Sequence, residues 1–193
     1  MILQMIRRGR GLPDLEKALQ GISGKQAHVI MGRAVRREGN KVRTQVVNAL
    51  VRQTGAGRHA VLKALSYEGT RRAKGGLGTT PSGLEYRIDA KGRYLPLTAF
   101  KPRETKRGVS AAPWGTRQIF ASTFFATMKS GHRGVFKREG SGRTPIAELW
   151  GPSIPAEMLK DDSRAAFDRG TEGITGRIIV EVARQANLKM NRR

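Results

Sequence analysis

The stretch LEYRIDAKGRYLPLTAF, residues 84–100, decides how the chain is read. Leu84, Tyr86 and Ile88 alternate with Glu85, Arg87 and Asp89, the period of two expected of a strand with one face buried. The tetrapeptide AKGR then turns the chain into YLPLTAF, which alternates again, with Pro96 suited to an edge strand because it has no N–H to give to a neighbour. Residues before this stretch have a helical period instead. From about Gln26 to Gln53, Val35, Val42, Val46 and Leu50 recur on one face, with Gly39-Asn40 as the expected kink or stop. TGAG (54–57) breaks the chain before a third helical run, RHAVLKALSY, and GLPDLEKALQG (11–21) reads as a short first helix closed by Gly21.

After residue 100 the strand signal continues. KPRETKRG reads as a basic connection, and VSAAPW, IFASTFFATM and RGVFKREG each read as a strand. Three prolines, Pro145, Pro152 and Pro155, give 141–160 an irregular path with one helical turn. Helix returns over 161–188, where Asp162 or Ser163 caps and Phe167, Ile174, Ile178 and Val182 repeat at helical spacing. Gly170, Gly173 and Gly176 mark either a break there or a face approached by another backbone. The expected architecture is α+β: N-terminal amphipathic helices, a mainly antiparallel sheet and a long C-terminal helix. It is expected as a single domain over 1–193, divided into a helical part (1–68), a flexible basic Gly-rich loop (69–83), a β-rich part (84–140), a Pro-rich segment (141–160) and the final helix.

Charge dominates the composition of this 193-residue chain, with 37 Lys and Arg against 15 Asp and Glu and a formal net of +22. Residues 1–140 carry 28 basic and eight acidic side chains, and 141–193 carry nine and seven. Such a field favours a polyanion, nucleic acid first, with a merely solvated basic surface as the alternative. Without cysteine there is neither a disulfide framework nor a thiolate metal site. The apolar runs fall short of the ~20 residues needed to span a bilayer, and MILQMIRRGRG is not a secretory leader, so a protein made inside a cell and kept off membranes is expected.

Catalytic motifs are tested and fail. LQGISGKQ approaches a phosphate-binding loop, but Leu19 replaces the first glycine and Gln26 the Ser or Thr that would reach magnesium. His28, His59 and His132 lack metal-ligand spacing. In TMKSGHRGVFKREG (127–140) no nucleophile, orienting acid or metal ligand is read near His132 in sequence. The segment reads as a turn at Gly131 and Gly134 leading into a strand with wet cations. No catalytic, cofactor-binding or metal residues are therefore expected, and no enzyme. A metal-dependent nuclease would need converging acids that the basic part does not offer. The pair of helices joined by TGAG also has the outline of a helix-turn-helix with Arg58, His59 and Lys63 on its reading helix, so a sequence-reading DNA binder stays open as an alternative.

Residues 95–155, with Phe100 before a polar turn, the Gly108-Val109 strand start, Phe124-Phe125-Ala126, SGHRGVF and PIAELWGPSIP, resemble the minor tail protein Z family of tailed phages, the lambda-type tail completion proteins. The resemblance implies a structural component of the virion, made in the host bacterial cytoplasm. It would act at the tail or head–tail junction, assemble in a sixfold ring and meet other neck and tail proteins. Arg33, Arg36, Arg37, Lys41, Arg43, Arg71, Arg72 and Lys74 are then the candidates to face double-stranded DNA or a neighbouring subunit. Trp150, Pro152 and Pro155 are the candidate partner surface.

Overall fold

A computed structural model of the chain describes residues 2–5, 24–65, 77–80, 83–86 and 88–191. The protein is α+β with antiparallel sheets. Strand β1 (Ile2–Met5) comes first, followed by the 31-residue helix α1 (Gly24–Thr54) and α2 (Arg58–Leu65). Next come β2 (Leu77–Thr80), β3 (Gly83–Tyr86), β4 (Ile88–Lys91) and β5 (Tyr94–Pro96). A 3-10 turn at Leu97–Ala99 leads to β6 (Arg103–Thr105) and β7 (Gly108–Ala111), and another at Pro113–Gly115 leads to β8 (Gln118–Ala121). Then follow β9 (Thr123–Thr127), β10 (Arg133–Arg138), β11 (Ile146–Glu148) and β12 (Trp150–Ser153). Helices α3 (Ile154–Met158), α4 (Asp161–Thr171) and α5 (Ile174–Met190) close the chain. No helix among the described residues is long and apolar enough to cross a membrane.

The chain divides into two compact units. The first comprises Met1–Leu3, Val46–Tyr67 and Ala90–Arg164 and holds the ribbon β5–β12 and the three-stranded sheets β6–β7–β8 and β11–β10–β9. Its core is built from Leu50, Val61, Leu97, Phe100, Val109, Val135, Ile154 and Met158, all fully enclosed. Backbone bonds stitch the strands to the turns: Leu97 N donates to Leu149 O at 3.1 Å, and Leu149 N to Val135 O at 2.8 Å. Gln53 fastens the helical side. Its amide nitrogen donates to Glu157 O and Oε2, while its oxygen accepts from Ser163 N (3.1 Å) and Oγ (2.6 Å). That oxygen satisfies a first-turn N–H of α4, a task that the sequence suggests for a local cap.

The second unit comprises Gln4–Gln45, Glu68–Asp89 and Ala165–Arg193. Ile30, Ala34 and Val182 form its buried centre, with Met31 and Ile178 packed against them. The hairpin β2–β3 belongs to this unit, with Leu77 opposite Tyr86 and Thr80 opposite Gly83.

Several expectations are corrected. The segment 69–83 is not wholly a loop, because β2 lies in it; LGTT alternates too weakly to announce a strand and is held by the ladder to β3. KPRETKRG contains β6, whose three residues are all exposed and so show no apolar alternation. YLPLTAF leaves strand geometry after Pro96. IFASTFFATM breaks at Ser122, a left-handed residue (φ 59°), so that β8 pairs with β7 and β9 with β10. The Pro-rich segment holds β11 and β12 besides its helical turn. The C-terminal helix is two, broken where Gly173 is left-handed, so the break reading holds; Gly170 meets the side chains of Val42 and Gln45, not another backbone. The expected helix 11–21 lies outside the described residues.

Gly39 neither kinks nor ends α1. An added Cβ there would lie 2.4 Å from the Tyr86 ring, whose hydroxyl bonds Asn40 Oδ1 at 2.8 Å; the glycine is a seat for the ring. Gly176, by contrast, faces open space. Gly176→Ala should therefore stabilise the protein by about 0.5–1 kcal/mol. Gly39→Ala, equally favourable on helix propensity, should cost about 1–3 kcal/mol because the ring must move. Chemical denaturation of both variants checks the opposite signs.

Candidate functional surfaces

At 3.6 residues per turn, Arg43, Arg36, Arg33, Arg37 and Lys41 fall in sequence around one arc of α1 of about 160°. All are exposed except Arg43, which is half-buried. They differ in what they are free to do. Arg37 reaches Glu181 Oε1 at 3.2 Å, and Lys41 reaches Glu38 Oε1 at 2.6 Å. Arg33 and Arg36 have no acidic partner among the described residues. Burial pushes the Tyr86 phenol up, while Arg43 and Arg36 pull it back, which places both cations within electrostatic reach of that ring. Arg71, Arg72 and Lys74 lie outside the described residues.

The two carboxylates are the feature the sequence reading missed. Glu38 is buried on α1 and takes Arg177 Nε at 3.2 Å as well as Lys41. Glu181 is buried on α5 and takes Arg184 at 2.7 and 2.9 Å, Gln185 at 2.8 Å and Arg37. Each helix thus lends an arginine to the other's acid. Arg177 also donates to Gly170 O and Glu172 O, both at 2.6 Å, covering carbonyls at the end of α4. A signal existed: Ala34, Glu38 and Val42 are four apart, so Glu38 sits in the apolar stripe itself.

The aromatic candidate is placed differently from its neighbours. In the β5–β12 ribbon Trp150 lies opposite Pro96, and Tyr94, two residues from Pro96, shares that side of the strand. Trp150 is 52% exposed and Tyr94 65%. Pro152 and Pro155 are buried, so they are part of the packing that holds the ribbon and offer no partner surface. Gly151 anchors the strand, with the Phe100 ring where its Cβ would be.

The turn that carries His132 gains a partner that the sequence does not show. Its Nε2 is 2.8 Å from Glu148 Oε1, on β11. Gly131 makes the turn (φ 81°), but Gly134 does not; a Cβ at Gly134 would lie 2.6 Å from Glu148 Oε1, so its task is to let that carboxyl pass. Met128 N donates to His132 O at 2.8 Å, and the guanidiniums of Arg133 and Arg138 lie 5.1 and 5.0 Å from the Phe125 and Phe124 ring centres. The pair ties a hairpin turn to the neighbouring strand, with cations stacked on both sides of the sheet.

The helix pair α1–α2 forms as the helix-turn-helix outline suggests, with Val61 and Leu65 buried. Arg58, His59 and Lys63 are exposed, and Arg58 donates to Asn48 Oδ1 at 2.5 Å. No family model, curated protein or solved structure matches this chain.

Hydrogen bonds from Arg184 hold the Glu181 carboxyl well below its usual 4.5, at about 2, against the opposing effect of burial and with help from Gln185 and Arg37. Between those values the folded state binds fewer protons than the unfolded one. The contribution is therefore complete above about pH 4.5 and is lost as pH falls toward 2. Denaturation at pH 5 and pH 3 should show wild type losing more stability than Glu181→Gln, whose remaining pH dependence comes from other acids.

Proposed function

We propose that this chain is a structural component of a tailed-phage virion, acting in tail completion or head–tail joining as one of several copies beside DNA and other neck and tail proteins. The observation that carries the reading is the pair Tyr94 and Trp150. Two large rings held half in water on one side of a short ribbon are an assembly surface awaiting a neighbour. The resemblance of residues 95–155 to tail completion proteins supports the reading, and so does the basic excess of residues 1–140. A passage for packaged DNA presents phosphates while the bases stay paired, so cations need only count charge and need no base-reading partners.

Within this proposal four of the candidate cations on α1 divide into two kinds. Arg33 and Arg36 contact phosphate, whereas Arg37 and Lys41 neutralise acids inside the fold. In duplex binding across a salt series, Arg33→Ala and Arg36→Ala should each reduce the magnitude of the log–log slope by about 0.9, equally for unrelated sequences. Arg37→Ala should instead act mainly through stability. One sequence bound far more tightly than the rest would favour the helix-turn-helix reading. Trp150→Ala should fold normally and enter particles poorly; normal incorporation with normal infectivity would remove the ribbon from the interface.

A further inference from the structure

We infer that the outer edge of β8, Gln118–Ala121, together with Trp114 on the turn leading into it, is a strand-docking site for an extended acidic segment of another protein. The inference goes beyond the virion reading and stands or falls separately from it. The sheet β6–β7–β8 has two outer strands, and they are built differently. β6 is Arg103-Glu104-Thr105, flanked by Lys101 and Lys106, the charged composition that discourages a further strand. β8 is Gln-Ile-Phe-Ala, without a charge or a proline, and β7 is its only strand neighbour among the described residues. Ile119 is 44% exposed there. An edge with unpaired backbone groups and an apolar side chain in water is the template that an added strand completes.

Trp114 is a second observation. Its backbone is left-handed (φ 54°, ψ 29°), a conformation that bulky residues adopt only under constraint, and the side chain is 53% exposed. Buried Pro113 and left-handed Gly115 on either side fix it. Strain that holds an indole in solvent rather than in the core, on the turn that leads into the edge strand, fits a contact residue.

Charge selects the occupant. The register sets Arg103, Ser110 and Ile119 on one side of the sheet. Arg117 folds back across it, donating to Ser110 O, Ser110 Oγ and Lys101 O at 3.4, 3.1 and 3.1 Å. All three acceptors are neutral, so the guanidinium keeps its charge uncompensated. Residues 101–121 hold Lys101, Arg103, Lys106, Arg107 and Arg117 against Glu104 alone. Pairing with a second copy would bring two such sets together, and nucleic acid offers no ladder to a strand edge. An acidic extended peptide satisfies both the backbone and the field.

The test uses the full chain with Trp150→Phe, so that Trp114 is the one indole. It is mixed with a short synthetic peptide of alternating valine and threonine that carries aspartates at both ends. Amide exchange at residues 118–121 should slow by about tenfold or more, saturably, with a blue shift of Trp114 emission. The same peptide with lysine ends, or N-methylated along the pairing edge, should do neither, and Ile119→Lys should abolish the effect of the acidic one. The inference is overturned by unchanged exchange with the acidic peptide, or by equal protection from the lysine-ended or N-methylated form. It is also overturned by full binding to Ile119→Lys, by protection that rises with protein concentration alone, or by protection from a short DNA duplex in place of the peptide.

Discussion

Glu38 and Glu181 are the constraint on which the second unit depends, because a chain with a net charge of +22 must neutralise its cations wherever helices pack. Each acid is buried on one helix and takes an arginine from the other, Arg177 to Glu38 and Arg37 to Glu181. The arginines are about half exposed, and Lys41 stays on Glu38 and Arg184 on Glu181 when the cross-helix arginine is removed, so each cross-helix pair contributes less than a fully buried one. The network also sorts the surface. Cations that reach these carboxylates are committed to the fold, whereas Arg33 and Arg36 are exposed and reach neither acid.

The first unit is held together differently. Its small sheets are joined by single backbone bonds, by the Gln53 clamp and by side chains fitted against glycine, as Phe100 is against Gly151. Phe100 and Phe136 are buried, while three aromatics stay more than half exposed: Tyr94, Trp114 and Trp150. Two lie on the β5–β12 ribbon and the third leads into the open edge of β8. The ribbon serves neighbouring subunits under the proposed function, and the edge, under the separate inference, an acidic strand.

How much of this was legible depended on whether burial wrote a period into the sequence. Helix α1 was readable because one face is apolar, and β10 because Val135 and Phe136 stand apolar between cations; the alternation over 84–89 read as one strand, whereas β3 ends at Tyr86 and β4 starts at Ile88 in a separate sheet. β6 was not, since its three residues are all exposed, nor β2, since LGTT alternates too weakly in sequence, and β11 and β12 were hidden behind prolines read as punctuation. Trp150 was visible as a candidate, but Pro152 and Pro155 were misplaced beside it, because composition cannot tell a proline in the core from one on the surface. Glu38 was readable in principle from its place between Ala34 and Val42. Its partners were not, since Arg177 and Arg37 are set against the two acids by helix packing across 139 and 144 residues of sequence.

The central claim is that the chain is a built-in part of a particle, and the direct measurement is its copy number in purified virions by quantitative mass spectrometry, with a major tail protein as the internal standard. The account predicts a small, fixed number per particle, retained through density-gradient purification and high salt. Recovery only in the soluble fraction of the lysate, with none in infectious particles, would contradict it.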